Sequence, residues 1–185
     1  MKSQTFKRVS GSLKSISGRI LDWGYSKLPA RCKTAGVNGV FNDPRVIRTL
    51  GKRPAALATL STRGSFYGET LVSVPATTSA KLFEQVVPRG CGQVKVKAGK
   101  KVITVRVTRV RDLPAITGAT VSAVKMTLRP SPWKHLPEPE SMLTVVRSGP
   151  LVMETYTDDS DGGVETIANA FTETAWKRAT DRLRG

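Results

Sequence analysis

Histidine occurs once in this 185-residue chain and cysteine twice. With so few imidazole and thiolate ligands, no closed zinc site can be built without unusual carboxylate ligands, so metal catalysis is not expected. Cys32 and Cys91 could form one disulfide, but they make neither a CxxC pair nor part of a dense framework, and the plainer reading is two unpaired thiols in a reducing compartment. No apolar run reaches the roughly 18 residues of a spanning helix, and the first residues lack the apolar centre of a secretory signal. Aromatic residues make up 6% of the chain, and no RNP-like aromatic pair falls on neighbouring strands, which argues against base stacking of the RRM kind. Acids are also scarce. Against 30 Lys and Arg stand 14 Asp and Glu, a formal charge of +16, which points to polyanionic partners, nucleic acid first and an anionic membrane surface second. The length suits one domain, long enough to bury about 70% of the surface exposed when unfolded.

Catalytic motifs are missing as well. Gly92 to Lys101 comes nearest to a phosphate loop, but valine stands at position 94 where the pattern needs glycine, and Lys101 replaces the required Ser or Thr. No GxSxG, HExxH or GxGxxG segment occurs. His135, among Pro132, Trp133, Pro137 and Pro139, reads as a surface-loop residue. Asp158, Asp159 and Asp161 invite a cation, yet a calcium loop beginning at Asp158 would need glutamate where Asn169 stands, so a helix-capping turn is the plainer reading and these three are weak metal candidates. The expectation is a protein that is not an enzyme, with no catalytic residue, no cofactor and no small-molecule substrate.

What is present is unevenly spread. Residues 1–64 hold 13 of the basic residues and only Asp22 and Asp43 as acids. The RNA-binding residues expected in this stretch are therefore Lys2, Lys7, Arg8, Lys14, Arg19, Lys27, Arg31 and Lys33; Lys95, Lys97 and Arg106, further along, complete the expected RNA-binding set. Phe6, Val9, Leu13, Ile16, Ile20 and Trp23 fall at helical spacing, but the intervening Ser and Gly have poor helix propensity, which predicts an arm that is disordered alone and helical when bound. Residues 1–54 read as this arm and a connector, with a short helix at Pro44–Leu50 capped by Asn42 or Asp43. Residues 55–185 read as a β body. Alternation from Gln93 to Val107 predicts a hairpin with Lys95, Lys97 and Arg106 on its basic face. Further strands are expected at Ala56–Ser61, Glu69–Val74, Ala119–Leu128, Ser141–Val146 and Leu151–Tyr156. Ala80–Val87 reads as a helical turn or a strand. Val164, Ile167, Ala168, Phe171, Ala175 and Trp176 form the stripe of a C-terminal helix.

Arg63-Gly64-Ser65-Phe66-Tyr67-Gly68, between two of these strands, resembles the RGSYYG segment of cucumber-mosaic-type coat proteins of plant RNA viruses. The likeness extends loosely over residues 52–158, through Ile103-Thr104-Val105-Arg106-Val107 and a strand near Val145–Tyr156. It implies a mainly β chain: a single jelly-roll-like β-sandwich with a basic N-terminal arm and a C-terminal helix. The arrangement of a sheet plus helix, as in RNA-phage coat proteins, is the alternative. The implied function is a viral capsid protein that self-assembles into an icosahedral shell around single-stranded RNA, found in the virion and the host cytoplasm. A ribosomal protein, mitochondrial in one version, or a non-capsid viral RNA-binding protein are the alternatives.

Overall fold

The computed structural model describes the backbone of residues 4–20, 28–32, 37, 39–62, 65–98, 101–129, 138–159 and 163–184; at 18–20, 98, 101 and 184 it describes the backbone alone. The strands are β1 (Thr5–Ser12), β2 (Pro54–Ser61), β3 (Ser65–Ser73), β4 (Gln93–Ala98), β5 (Lys101–Arg109), β6 (Thr120–Arg129), β7 (Glu140–Ser148) and β8 (Leu151–Asp159). The α-helices are α1 (Leu13–Ile20), α2 (Pro44–Leu50) and α3 (Val164–Arg184), with 3-10 turns at Ala30–Cys32, Val40–Asn42 and Ala80–Phe83.

All eight strands lie in one antiparallel sheet, ordered β1-β2-β3-β8-β7-β6-β5-β4. The chain is thus mainly β, with an eight-stranded sheet and a C-terminal helix. A jelly roll divides its strands between two facing sheets; here they form one. Within the meanders β1–β3 and β4–β8 each strand pairs with the one before it, β7 and β8 through the tight turn Gly149-Pro150 with Gly149 at φ 53°, and the long-range pairing of β3 with β8 merges the two meanders into one sheet.

The predicted strands all appear within a few residues of their expected ends, and Ala80–Phe83 takes the helical option. Asp43 caps α2, accepting from the Arg45 N–H at 2.8 Å, with Pro44 in its first turn. The N-terminal segment differs. Thr5–Ser12 is no helix but an edge strand in register with β2, Val9 opposite Leu57. Ser10, Gly11 and Ser12 resist helix formation, and pairing with β2 supplies the hydrogen bonds instead. The helix begins only at Leu13, where the Ser12 hydroxyl accepts from the Ser15 N–H. Leu13 and Ile16 keep their predicted common face and are fully buried.

Each sheet face is covered differently. On one, α1, α2 and the 3-10 turns pack through Leu13, Ile16, Val40, Phe41 and Val46 onto Val72, Val145 and Tyr156. On the other, α3 lies over β7 and β8, with Val164 and Ala168 against Ala123 and Met142, and Ala175 and Trp176 against Val146 and Met153. Thr172 and Thr155 share a buried hydroxyl hydrogen bond of 2.7 Å within that contact.

Cys32 and Cys91 are joined in a disulfide, with Cα atoms 5.5 Å apart. This corrects the reading of two unpaired thiols. Their separation of 59 residues hid the pairing, because only the fold brings the turn at Ala30–Cys32 over the entry to β4.

Candidate functional site

Beside α3, the sheet face it shares is left partly uncovered. Register places Arg8, Ala58 and Glu69 in one row across β1, β2 and β3, and Ser10, Ala56 and Leu71 in the next. Both rows continue into β8, at Thr155 and Met153, where α3 takes over. Alanine at 56 and 58 is too small to reach the helix. What remains is a groove of about 360 Å³, floored by Ala56, Ala58 and Leu71 and walled by Arg178, Ala179, Arg182 and Leu183 of the last turns of α3. Its lining is chiefly apolar, and Phe6 and Leu183 are exposed at 54% and 66%.

The polar groups of the groove are unequal in number. Glu69 is its carboxylate and forms an ion pair with Arg178. Arg8 stacks its guanidinium over the Phe6 ring, 5.0 Å from the centroid. Neither Arg8 nor Arg182 has an ion pair among the described residues. An apolar floor with a surplus of guanidinium at its rim is suited to holding a ligand by desolvation and charge; its single carboxylate is already paired.

A second unusual group lies on the opposite face. Glu154, on the central strand β8, is fully buried and accepts the backbone N–H groups of Val40 and Phe41. Burial pushes its carboxyl up to about 7, the two N–H groups opposing that rise. Its other oxygen, Oε1, has no hydrogen-bond partner among the described residues. Gly39 fits here for two reasons: its φ is +85°, and a Cβ would stand 2.8 Å from Glu154 Oε1. Glu154 thereby fastens the disulfide-tethered layer to the middle of the sheet.

The residues expected from sequence scatter. Lys7 and Arg8 lie on the edge strand β1, Lys14 on the exposed side of α1 and Arg31 beside Cys32. Arg19 is described in backbone only, and Lys2, Lys27, Lys33 and Asp161 lie outside the described residues, as do His135 and the Arg63-Gly64 of the coat-like segment. Only Arg8 belongs to the groove. Lys95, Lys97 and Arg106 do share one sheet face: Arg106 is opposite Gln93 and Lys95 opposite Thr104, on the side where α3 packs further along. Lys125, between them and the helix, is held by Glu165 at 2.6 Å and Glu140 at 3.5 Å, and the Glu165 hydrogen bond raises its pKa. Asp158 and Asp159, as successive residues of a strand, point to opposite faces, which is poor geometry for one cation. Burial, with the neighbouring Asp159 charge, pushes Asp158 up to about 6. Among the described residues no group of three or more His, Cys, Asp or Glu side chains could hold a metal ion.

No family model matches the chain, and no curated protein matches it. Among solved structures it is similar to an uncharacterized protein (Rv0999 ortholog) from Mycobacterium smegmatis. There the identity is 16% over 84% of this chain and 74% of that one, with a TM-score of 0.46. It is also similar to the extracellular domain of PknH from Mycobacterium tuberculosis, at 12% identity over 91% and 81%, with a TM-score of 0.49. Likeness at this level says nothing about what the chain binds. Both of those proteins are mycobacterial and neither is described as a coat protein; the expectation of a viral capsid protein that builds a virion is corrected on the chain's own fold, whose strands form one sheet rather than the two of a jelly roll. The sheet is consistent with that correction: the expected free arm is a strand and a buried helix of the body. Of the six residues that carried the resemblance, Ser65–Gly68 open β3.

Proposed function

We propose that this chain is a non-catalytic ligand-binding domain that works in an oxidising compartment and takes its ligand in the groove between α3 and strands β1–β3. The observation that carries the reading is the groove itself: apolar floor, guanidinium rim and a volume of about 360 Å³, within the range of small-molecule sites, which is roughly 300–1,000 Å³. The Cys32–Cys91 disulfide supports the compartment, since such bonds persist where thiols are not kept reduced. This reading differs from the expectations of no small-molecule substrate and of residence in a host cytoplasm. Binding needs no general base or metal, and the groove's single carboxylate, Glu69, is engaged by Arg178.

The test uses two single-chain amphiphiles, decyl phosphate and decyl glucoside, each below its micelle concentration and titrated by calorimetry into the disulfide-intact chain. Saturable one-to-one binding of at least one of them, weakened by Ala58→Phe, is the expected result. If neither binds, or if Ala58→Phe binds as the parent does, the groove is not a ligand site.

A further inference from the structure

Resting on the groove as a ligand site, we infer that its occupant is a single-chain anionic amphiphile: one negatively charged headgroup on an unbranched apolar chain, taken up one molecule at a time. The floor suits the chain. Ala56, Ala58 and Leu71, with Ala179 and Leu183 as wall, offer no hydrogen-bonding side chain, and Phe6 and Leu183 carry the apolar surface outward to the mouth, both more than half exposed.

The rim suits the headgroup. Three arginines, Arg8, Arg178 and Arg182, face one acid, Glu69, and Glu69 is satisfied by Arg178. Two guanidiniums are left for an anion, with planar donor forks that match a phosphate or carboxylate. Arg8 is held over the Phe6 ring, so its charge sits directly at the apolar mouth. A free inorganic anion would leave the floor wet, and a neutral lipid would gain no charge-assisted contact from either arginine. A volume of about 360 Å³ is near the lower end of ligand sites, which begin at roughly 300 Å³, and admits one chain rather than two. The surplus of +16 over the chain raises the local concentration of anions at such a rim.

The experiment compares decyl phosphate, decyl glucoside and inorganic phosphate by calorimetry on the parent chain and on Arg8→Gln/Arg182→Gln, Ala58→Phe and Leu183→Asp. Circular dichroism and thermal melting confirm that each variant is folded. Decyl phosphate is expected to bind at least roughly tenfold tighter than decyl glucoside, a difference of about 1.4 kcal/mol, and the double arginine variant to erase that difference. Ala58→Phe weakens both amphiphiles; should that variant not fold, Leu183→Asp, at an exposed position of the wall, serves in its place. Equal affinity for the two amphiphiles overturns this inference and leaves the groove reading standing. So does inorganic phosphate binding as tightly as decyl phosphate, since the chain would then contribute nothing. If neither amphiphile binds, or both are indifferent to Ala58→Phe and Leu183→Asp, the groove reading falls and this inference with it.

Discussion

Replacing Glu154 by glutamine should flatten the dependence of stability on pH. In the folded chain this carboxyl titrates at about 7 against an ordinary 4.5, with burial as the main cause. A raised folded value means that the native state binds the proton more tightly than the unfolded state. The contribution to stability is therefore complete below the unfolded value and is lost as pH rises through the folded one. At roughly 1.4 kcal/mol per unit, the full swing is about 3 kcal/mol, of which roughly 2.5 kcal/mol falls between about pH 5 and about pH 8. Glutamine removes the charge but puts an amide nitrogen where Oε1 has no hydrogen-bond partner among the described residues, a cost of about 1–3 kcal/mol at every pH. The slope, not the absolute stability, is therefore diagnostic. Asp158, raised to about 6, adds a change of the same sign but is present in both proteins, so it cancels in the comparison. Urea unfolding followed by far-ultraviolet circular dichroism across that pH range, with the disulfide intact, measures both slopes. Parallel curves for the parent and Glu154→Gln would show that Glu154 does not titrate in this window, and the account of it as a buried fastener with a raised pKa would be refuted.

Two further outcomes follow from the same architecture. Replacing Cys32 and Cys91 together by serine opens a loop closed over a separation of 59 residues, which should cost about 4 kcal/mol by loop-closure entropy; an unchanged denaturation midpoint would mean that the bond does not constrain the unfolded chain. Ile16→Ala empties a fully buried position of α1 and should cost roughly 2–5 kcal/mol, measured by the same unfolding assay; a neutral result would return the N-terminal segment to the status of a detachable arm.

Elements with a purely local cause were legible in the sequence. The β4–β5 hairpin follows from alternation alone, α2 from the Asp43-Pro44 pair, and α3 from its apolar stripe. The basic face of Lys95, Lys97 and Arg106 was legible for the same reason, because strand alternation assigns faces without knowledge of neighbours. What escaped depends on contacts distant in the chain. The pairing of β3 with β8 decides that there is one sheet rather than two, yet no residue in either strand announces its partner. The disulfide is a product of layer packing. In the segment from Phe6 to Trp23, spacings of three and four residues fitted a helix throughout, but the run Ser10-Gly11-Ser12 breaks it, and an available β2 edge takes the first half as a strand.

The groove was the least legible feature, and the reason is instructive about where binding sites hide. Ala56 and Ala58 are ordinary members of an apolar strand, while Arg178 and Arg182, in the last turns of α3, are cations that complement the end of a helix dipole. Each reading is locally sufficient. Their joint meaning appears only when α3, anchored over β7 and β8 by Ala175, Trp176 and the Thr155–Thr172 hydrogen bond, carries its last turns past the edge of its own packing surface. A strand with two larger residues at 56 and 58 would have met the helix and closed the gap. The usable signal was the alternating pair Ala56 and Ala58, which puts two small side chains in succession on one face of β2. The arginines then matter because they border a floor that the protein's own side chains do not fill.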